Sequence, residues 1–208
     1  MKWFGFISRL MNRTDDTALI SRFNSGEVSA FEELVLKYQD KIYTLCRYML
    51  RNAHDAEDAA QDVFFKAYRN LKDFKPEASF YTWLYRIGIN TCLDYRRKSS
   101  SAASFLQSLS EGITSPSDQS LFDTTPEKLH ELSETRKSIE FALAKMPEKL
   151  RAVIVLREIE ELTYEEIAEV LNSSVGTVKS RISRAREMLR EILIQKVSRN
   201  DFYGTKTP

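Results

Sequence analysis

Five cations stand between Lys179 and Arg190, namely Lys179, Arg181, Arg184, Arg186 and Arg190, against one acid, Glu187. At helical spacing Ser174, Thr177, Lys179, Ser180, Arg181, Ser183 and Arg184 fall away from the apolar stripe of Val178, Ile182, Ala185 and Leu189. Arginine and lysine can pair with guanine acceptors in a major groove, while serine and threonine suit phosphate or mixed contacts. Just upstream the charge reverses: Glu158, Glu160, Glu161, Glu165, Glu166 and Glu169 make an acidic run that would lie away from nucleic acid or meet a protein. A solvated basic helix is the plainer alternative for the cations.

A second constellation lies between Phe74 and Thr91, a stretch unusually aromatic for a loop and a helix start. Helical spacing puts Phe80, Leu84, Ile87 and Thr91 on one face and Trp83, Arg86, Asn90 and Arg97 on another. A stacking surface, cations and an amide together suit unstacked bases and their phosphates, and Arg96, Arg97 and Lys98 extend the charge. The alternative is that the aromatics are core. This fits Phe80 and Tyr85 well and Trp83 less well, because burying its face would strand polar groups. A third group, Asp58, Gln61, Asp62 and Phe65, is an acidic and amide strip beside an outward aromatic. It would repel DNA and suits docking to a protein, unless it is a solvated face with one stray aromatic.

These groups need helices to hold them. Asp15 or Asp16 can cap a first helix ending near Ser25 and Gly26, and Ser29 with Glu32 makes a capping-box pattern for a second. The second carries Phe31, Leu34, Tyr38, Ile42, Leu45 and Met49 at core-facing spacing and ends at Arg51-Asn52. A third starts at Asp55, with Ala56, Ala59, Ala60, Val63, Ala67 and Leu71 inward. The run through Pro76 breaks it, since proline disfavours helical geometry in the residue before it. A fourth runs from about Ser79 to Lys98. Four helices in this span predict a small bundle.

Further on, Leu129, Leu132, Ile139, Leu143 and Met146 predict a helix from Pro126 to Pro147, and Leu150 to Ile159 a short one. Thr163 with Glu166 forms another capping box, opening Tyr164 to Leu171. Asn172-Ser173-Ser174 turns the chain into a last helix from Val175 to about Val197. Small Ala168 at the helix crossing, Asn172 suited to a left-handed turn, and Val178 and Ile182 facing Ile167 and Leu171 give the layout of a helix-turn-helix. The expectation is an all-α chain of two small helical domains joined by a flexible linker: an extension 1–14, a four-helix domain 15–98, a Ser-rich linker 99–125, a helix-turn-helix domain 126–197, and a tail 198–208.

Composition narrows the function classes. Thirty-one lysines and arginines against thirty acids leave a net charge of +1, so the distribution of charge is informative and its sum is not. Cys46 and Cys92 belong to no metal-ligand spacing and read as buried apolar residues in a cytoplasmic protein. His54 and His130 are isolated, and no nucleophile, phosphate loop or metal cluster is present, so neither catalysis nor a cofactor is expected. The apolar opening around Trp3 to Met11 is too short to span a membrane. It suits a frayed tail or packed extension, or else a surface-binding helix.

Asp55-Ala-Glu-Asp-Ala-Ala-Gln-Asp-Val-Phe-Phe-Lys-Ala-Tyr, Phe80-Tyr-Thr-Trp-Leu-Tyr-Arg-Ile, and Pro147-Glu-Lys-Leu-Arg through Val175-Gly-Thr-Val-Lys-Ser-Arg closely resemble extracytoplasmic-function (ECF) sigma factors of the sigma-70 family. The likeness runs over roughly residues 15 to 195, in the family's order. It implies a subunit of bacterial RNA polymerase that recognises minus-thirty-five and minus-ten promoter elements and helps melt DNA for a stress or envelope-response regulon. Asp58, Gln61 and Asp62, beside Phe65, match the docking positions for the clamp helices of the largest polymerase subunit. Phe74, Lys75 and the loop to Ser79, followed by Trp83, Arg86, Asn90, Arg96, Arg97 and Lys98, fall in the part that takes the minus-ten strand. Lys179, Ser180, Arg181, Ser183 and Arg184, preceded by Ser174 and Thr177, match the minus-thirty-five helix.

The resemblance also implies an anti-sigma partner, often membrane-bound in this family, and no small-molecule substrate. Larger, primary sigma factors carry paired tryptophans where this chain has Trp83-Leu84, which implies stricter dependence on promoter sequence. Ser183 stands where relatives carry bulkier side chains, so the minus-thirty-five preference stays open. Two other readings compete. One is a helix-turn-helix regulator that is not a polymerase subunit, and the other a mimic that titrates an anti-sigma factor.

Overall fold

The three-and-four spacing of apolar residues becomes helix over most of the described chain. The structure, a computed structural model, describes residues 15–50, 52–75, 79–109 and 128–203, with side chains left out at 100–109, 128–134 and 197–203. The expectations for the extension 1–14, for Arg51, for Pro76 to Ala78, and for most of the linker and the tail lie outside the described residues. Among the described residues there is no strand.

Helix α1 (15–24) ends where Gly26 takes φ +104°, a left-handed geometry suited to glycine, and donates its N–H to the Phe23 carbonyl at 2.9 Å. Asp15 and Asp16 stand at its start, and both carboxylates accept from Lys37 Nζ, at 3.0 and 2.7 Å. Asp16 also accepts from the buried Tyr38 hydroxyl at 2.6 Å. Helix α2 (Ser29–Met49) does not form the expected Ser29/Glu32 capping box. The chain enters it through a turn already helical at Val28, with Ala30 and Phe31 donating to the Glu27 and Val28 carbonyls, and the Ser29 hydroxyl bonds Glu27 instead. Helix α3 (Ala53–Asn70) begins two residues ahead of Asp55 because the Asn52 side chain caps it, accepting from the His54 N–H at 2.9 Å. A 3₁₀ turn (Leu71–Asp73) closes α3.

Helix α4 (Phe80–Leu109) continues beyond the expected end at Lys98. Ala102, Ala103 and Leu106 are strong helix formers, and nothing between Lys98 and Leu109 interrupts them. Leu34, Ile42 and Leu45 of α2, Ala56, Ala59 and Ala67 of α3, and Phe80, Leu84, Tyr85 and Cys92 of α4 are buried together, with Ala60 only partly buried against them. The small residues allow close approach. At Gly88 a Cβ would lie 2.7 Å from Leu45 Cδ2, so the Leu45 side chain of α2 packs directly on the α4 backbone there. Cys46 and Cys92 are buried as expected, their sulfurs 3.6 Å apart, and that contact together with burial holds the Cys46 thiol protonated.

The second half comprises α5 (Lys128–Lys145), α6 (Glu148–Ile154), α7 (Tyr164–Val170) and α8 (Val175–Tyr203). The expected helix Leu150 to Ile159 starts earlier, after Pro147, and ends as a π-helical turn (Val155–Ile159) in which the Glu160 N–H donates to the Val155 carbonyl. Glu161 then takes φ +55°, reversing the chain into α7. The Thr163/Glu166 capping box is formed in both directions. Replacing Thr163 with alanine is expected to lower stability by about 1 kcal/mol, read as a shift of the urea midpoint.

Candidate nucleic-acid interface

Helices α7 and α8 make the helix-turn-helix. Asn172 adopts φ +46° in the turn, as its residue type predicts, and Val178, Ile182 and Ala185 of α8 are buried with Ile167 and Ala168 of α7. Ser174 caps α8, its oxygen accepting from the Thr177 N–H at 3.1 Å and lying 2.8 Å from the Thr177 hydroxyl. The Arg181 guanidinium is half-buried and turned toward the turn, where Nη1 donates to the Ser173 hydroxyl at 3.3 Å. Lys179, Ser180, Ser183 and Arg184 are exposed on the outer face of α8. The Ser180 hydroxyl donates to the Thr177 carbonyl. Lys179 and Arg184 project into solvent.

The first half presents two surfaces. On α3, Gln61 is exposed and Phe65 is 60% exposed, with the Arg69 guanidinium 5.6 Å from its ring. Asp58 pairs with His54 at 3.0 Å, and Asp62 accepts from the Tyr95 hydroxyl of α4 at 3.0 Å. Burial and that bond push the Tyr95 phenol up to about 12. The Tyr95 hydroxyl thus holds one Asp62 oxygen against α4, a support that sequence periodicity does not reveal.

Along α4 the aromatic residues form a cluster. Trp83 is half-buried, its ring edge-on to Phe74 at 5.4 Å and tilted against Phe80 at 5.6 Å. Phe80 and Tyr85 are core, as the plainer alternative has it, while Trp83 lies at the core's margin. Ser79 caps α4, accepting from the Thr82 N–H at 3.1 Å. Lys75 and Asn90 are exposed, Arg97 pairs with Asp94, and Lys98 lies 5.9 Å from the Tyr95 ring.

Two of the cations on α4 meet the other half of the chain. Arg86 Nη2 donates to the Glu169 carbonyl at 2.7 Å, and Arg96 Nε lies 3.3 Å from Glu148 Oε1. Tyr81 donates to the Glu160 carbonyl at 3.2 Å, and Tyr85 to the Glu160 carboxylate. Burial pushes the Glu160 carboxyl above the ordinary carboxylate range, against the pull of the Tyr85 hydrogen bond and the charge of Lys41. At the far edge Arg47, 5% exposed, pairs with Glu140 at 3.1 Å.

The fully buried Arg151 spans both halves. It donates to the carbonyls of Met49 at 2.8 Å, Ala144 at 2.8 Å and Met146 at 3.0 Å. Its sequence signals are the motif Pro147-Glu-Lys-Leu-Arg that it ends and its place directly ahead of the unbroken apolar run Ala152 to Leu156.

Among the described residues, no group of acids, cysteines and histidines could hold a metal ion, and no helix is long and apolar enough to cross a membrane.

Residues 34–102 match the family model for sigma-70 region 2, and residues 136–189 that for sigma-70 region 4. The chain is 42% identical over 176 residues to the ECF RNA polymerase sigma factor SigW of Bacillus subtilis, covering 84% of this chain and 94% of that protein. It is 40% identical over 181 residues to the ECF RNA polymerase sigma-E factor of Escherichia coli K12, covering 84% and 92%. A solved structure of CnrH in complex with the cytosolic domain of CnrY superposes with a TM-score of 0.63 at 28% identity, covering 87% of this chain and 98% of that one. With both regions present in order and relatives alike along nearly their whole length, the chain belongs to the sigma-70 family, among the ECF sigma factors of RNA polymerase.

Proposed function

We propose that this chain binds core RNA polymerase and directs it to promoters in the cytoplasm, doing no catalysis of its own. The α3 strip of Asp58, Gln61, Asp62 and Phe65 docks the clamp helices of the largest polymerase subunit. The loop from Phe74 and Lys75 to Ser79, with Trp83, Arg86, Asn90, Arg96, Arg97 and Lys98 along α4, receives the minus-ten strand. The N-terminal turns of α8, with Lys179, Ser180, Ser183 and Arg184 outward and Ser174, Thr177 and Arg181 at the entry, read the minus-thirty-five element. An anti-sigma factor completes the set of partners that the family implies.

The observation that carries this reading is the joint presence, on one chain, of an outward basic helix-turn-helix and a first half that no duplex-binding regulator needs: an exposed Phe65 strip and a cation-lined aromatic helix. Transcription with purified core polymerase and this chain as the sole sigma factor tests it, on promoters selected from a random DNA library with the reconstituted holoenzyme. A promoter-specific transcript is expected, and its absence would leave only a DNA-binding regulator. Asp62→Ala is expected to weaken core-polymerase binding by about 1 kcal/mol, roughly fivefold, with DNA binding by α8 unchanged. Equal affinity of mutant and parent for core would remove α3 as the docking face.

A further inference from the structure

Lys66 stands one helical turn beyond Asp62 on α3, and its side chain reaches across to α4. Its Nζ donates to the hydroxyl of the fully buried Thr91 at 2.9 Å. It lies 3.9 Å from Asp94 Oδ2, and Asp94 in turn pairs with Arg97. Asn90, Asp94 and Arg97 follow one another at helical spacing on the outer stripe of α4, so the ammonium is fixed at the edge of that stripe. An ammonium has three donors, and Thr91 takes one. With 42% of its side chain exposed, Lys66 keeps charge facing out at the level of the exposed Asn90. We propose that Lys66 is a further contact of the minus-ten strand, a cation supplied by α3 that neutralises one phosphate of the strand bound along α4.

This rests on the reading of α4 as the minus-ten surface. Asp94 puts an acid on that stripe, where alone it would repel a phosphate. Lys66 and Arg97 on either side of it reverse the local sign. The bond to Thr91 is to a neutral hydroxyl, so it places the ammonium without cancelling its charge. A cation already held in place also loses less side-chain freedom when a phosphate arrives. Asp62 and Phe65 belong to the docking strip on the same helix, so Lys66 joins the polymerase-facing and strand-facing surfaces.

The test uses holoenzyme at saturating core polymerase. Affinity for a fluorescent non-template-strand oligonucleotide carrying the minus-ten element of a selected promoter is read at several salt concentrations, and core-polymerase affinity is measured in parallel. Lys66→Gln keeps a donor within reach of Thr91 and removes the charge, whereas Lys66→Arg keeps the charge. Lys66→Gln is expected to weaken oligonucleotide binding about fivefold at low salt, the upper range for one half-exposed ion pair. It is also expected to lower the slope of log affinity against log salt by about 0.7, the share of one single-strand phosphate contact. Lys66→Arg keeps the slope, and neither variant changes core affinity.

An unchanged slope for Lys66→Gln overturns the proposal even where affinity falls, because Lys66 then only holds α3 against α4. A slope lowered equally by Lys66→Arg overturns it too, since charge is then not what the strand meets. A loss confined to core binding makes Lys66 part of the docking strip instead. Arg97→Gln with Lys98→Gln tests the underlying reading separately, with a fall in slope of about 1.4 expected. If that pair lowers the slope and Lys66→Gln does not, the reading of α4 stands and the Lys66 contact fails. If neither does, α4 is not the strand surface and both fall.

Discussion

Replacing Arg151 with methionine is expected to cost about 3–5 kcal/mol of folding stability, more than any surface ion pair in this chain can contribute. The guanidinium has no accessible surface, and its donors close three carbonyls at once, Met49 from the end of α2 and Ala144 and Met146 from the end of α5. Helix ends leave their last carbonyls unpartnered, so one planar fork serves as a shared cap for two helices from different halves. Methionine fills much of the volume but donates nothing. Each orphaned, buried carbonyl then carries a desolvation penalty of about 1–3 kcal/mol, lessened where the structure relaxes to admit water. Arg151→Lys keeps the charge but not the fork, and is expected to fall between parent and methionine. Urea unfolding followed by circular dichroism measures both. A methionine variant within 1 kcal/mol of the parent would show that water already satisfies those carbonyls.

Arg151 also shows where sequence reading stops. The motif Pro147-Glu-Lys-Leu-Arg is visible in the sequence, and so is the apolar run behind it. Which carbonyls the arginine meets depends on how α2 and α5 end beside each other in space. The same limit separates Arg86 from Arg184. Both are exposed arginines at outward helical positions, and periodicity treats them alike, but Arg86 donates to the Glu169 carbonyl of the other half. Local signals survived well: Asn172 is left-handed and Thr163 with Glu166 closes its box. Ser29 with Glu32 carries the same pattern and fails, because a preceding helical turn already supplies carbonyls to the N–H groups that Ser29 would have capped. The acidic strip on α3 was legible as a surface, while the Tyr95 hydroxyl that holds Asp62 was not, since it comes from a helix one bundle position away.

Arg184→Ala is expected to weaken binding to minus-thirty-five duplex by about 1–3 kcal/mol and to relax base preference at one position. Each 1.4 kcal/mol is a tenfold change, so the lower bound is already a several-fold loss. The residue is exposed on α8 one helical turn beyond Ser180, opposite the buried Ile182 and Ala185, so truncation removes a guanidinium without disturbing the core. Lys179 provides the comparison. It stands nearer the start of α8, where phosphates collect around exposed N–H groups and the positive end of the helix dipole. Lys179→Ala is expected to weaken all sequences alike and to lower the salt dependence of binding by about one counterion, leaving preference intact. Duplex titrations of holoenzyme at several salt concentrations, with each base of the selected element varied, separate the two. If Arg184→Ala instead lowers affinity evenly and flattens the salt dependence, Arg184 is a phosphate anchor, and base discrimination falls to Ser180, Ser183 and Arg181. That outcome would recast α8 as a helix whose side chains near the turn do the reading. Arg181 would then have to leave Ser173 to reach a base, and Ser173→Ala would tighten binding by freeing it.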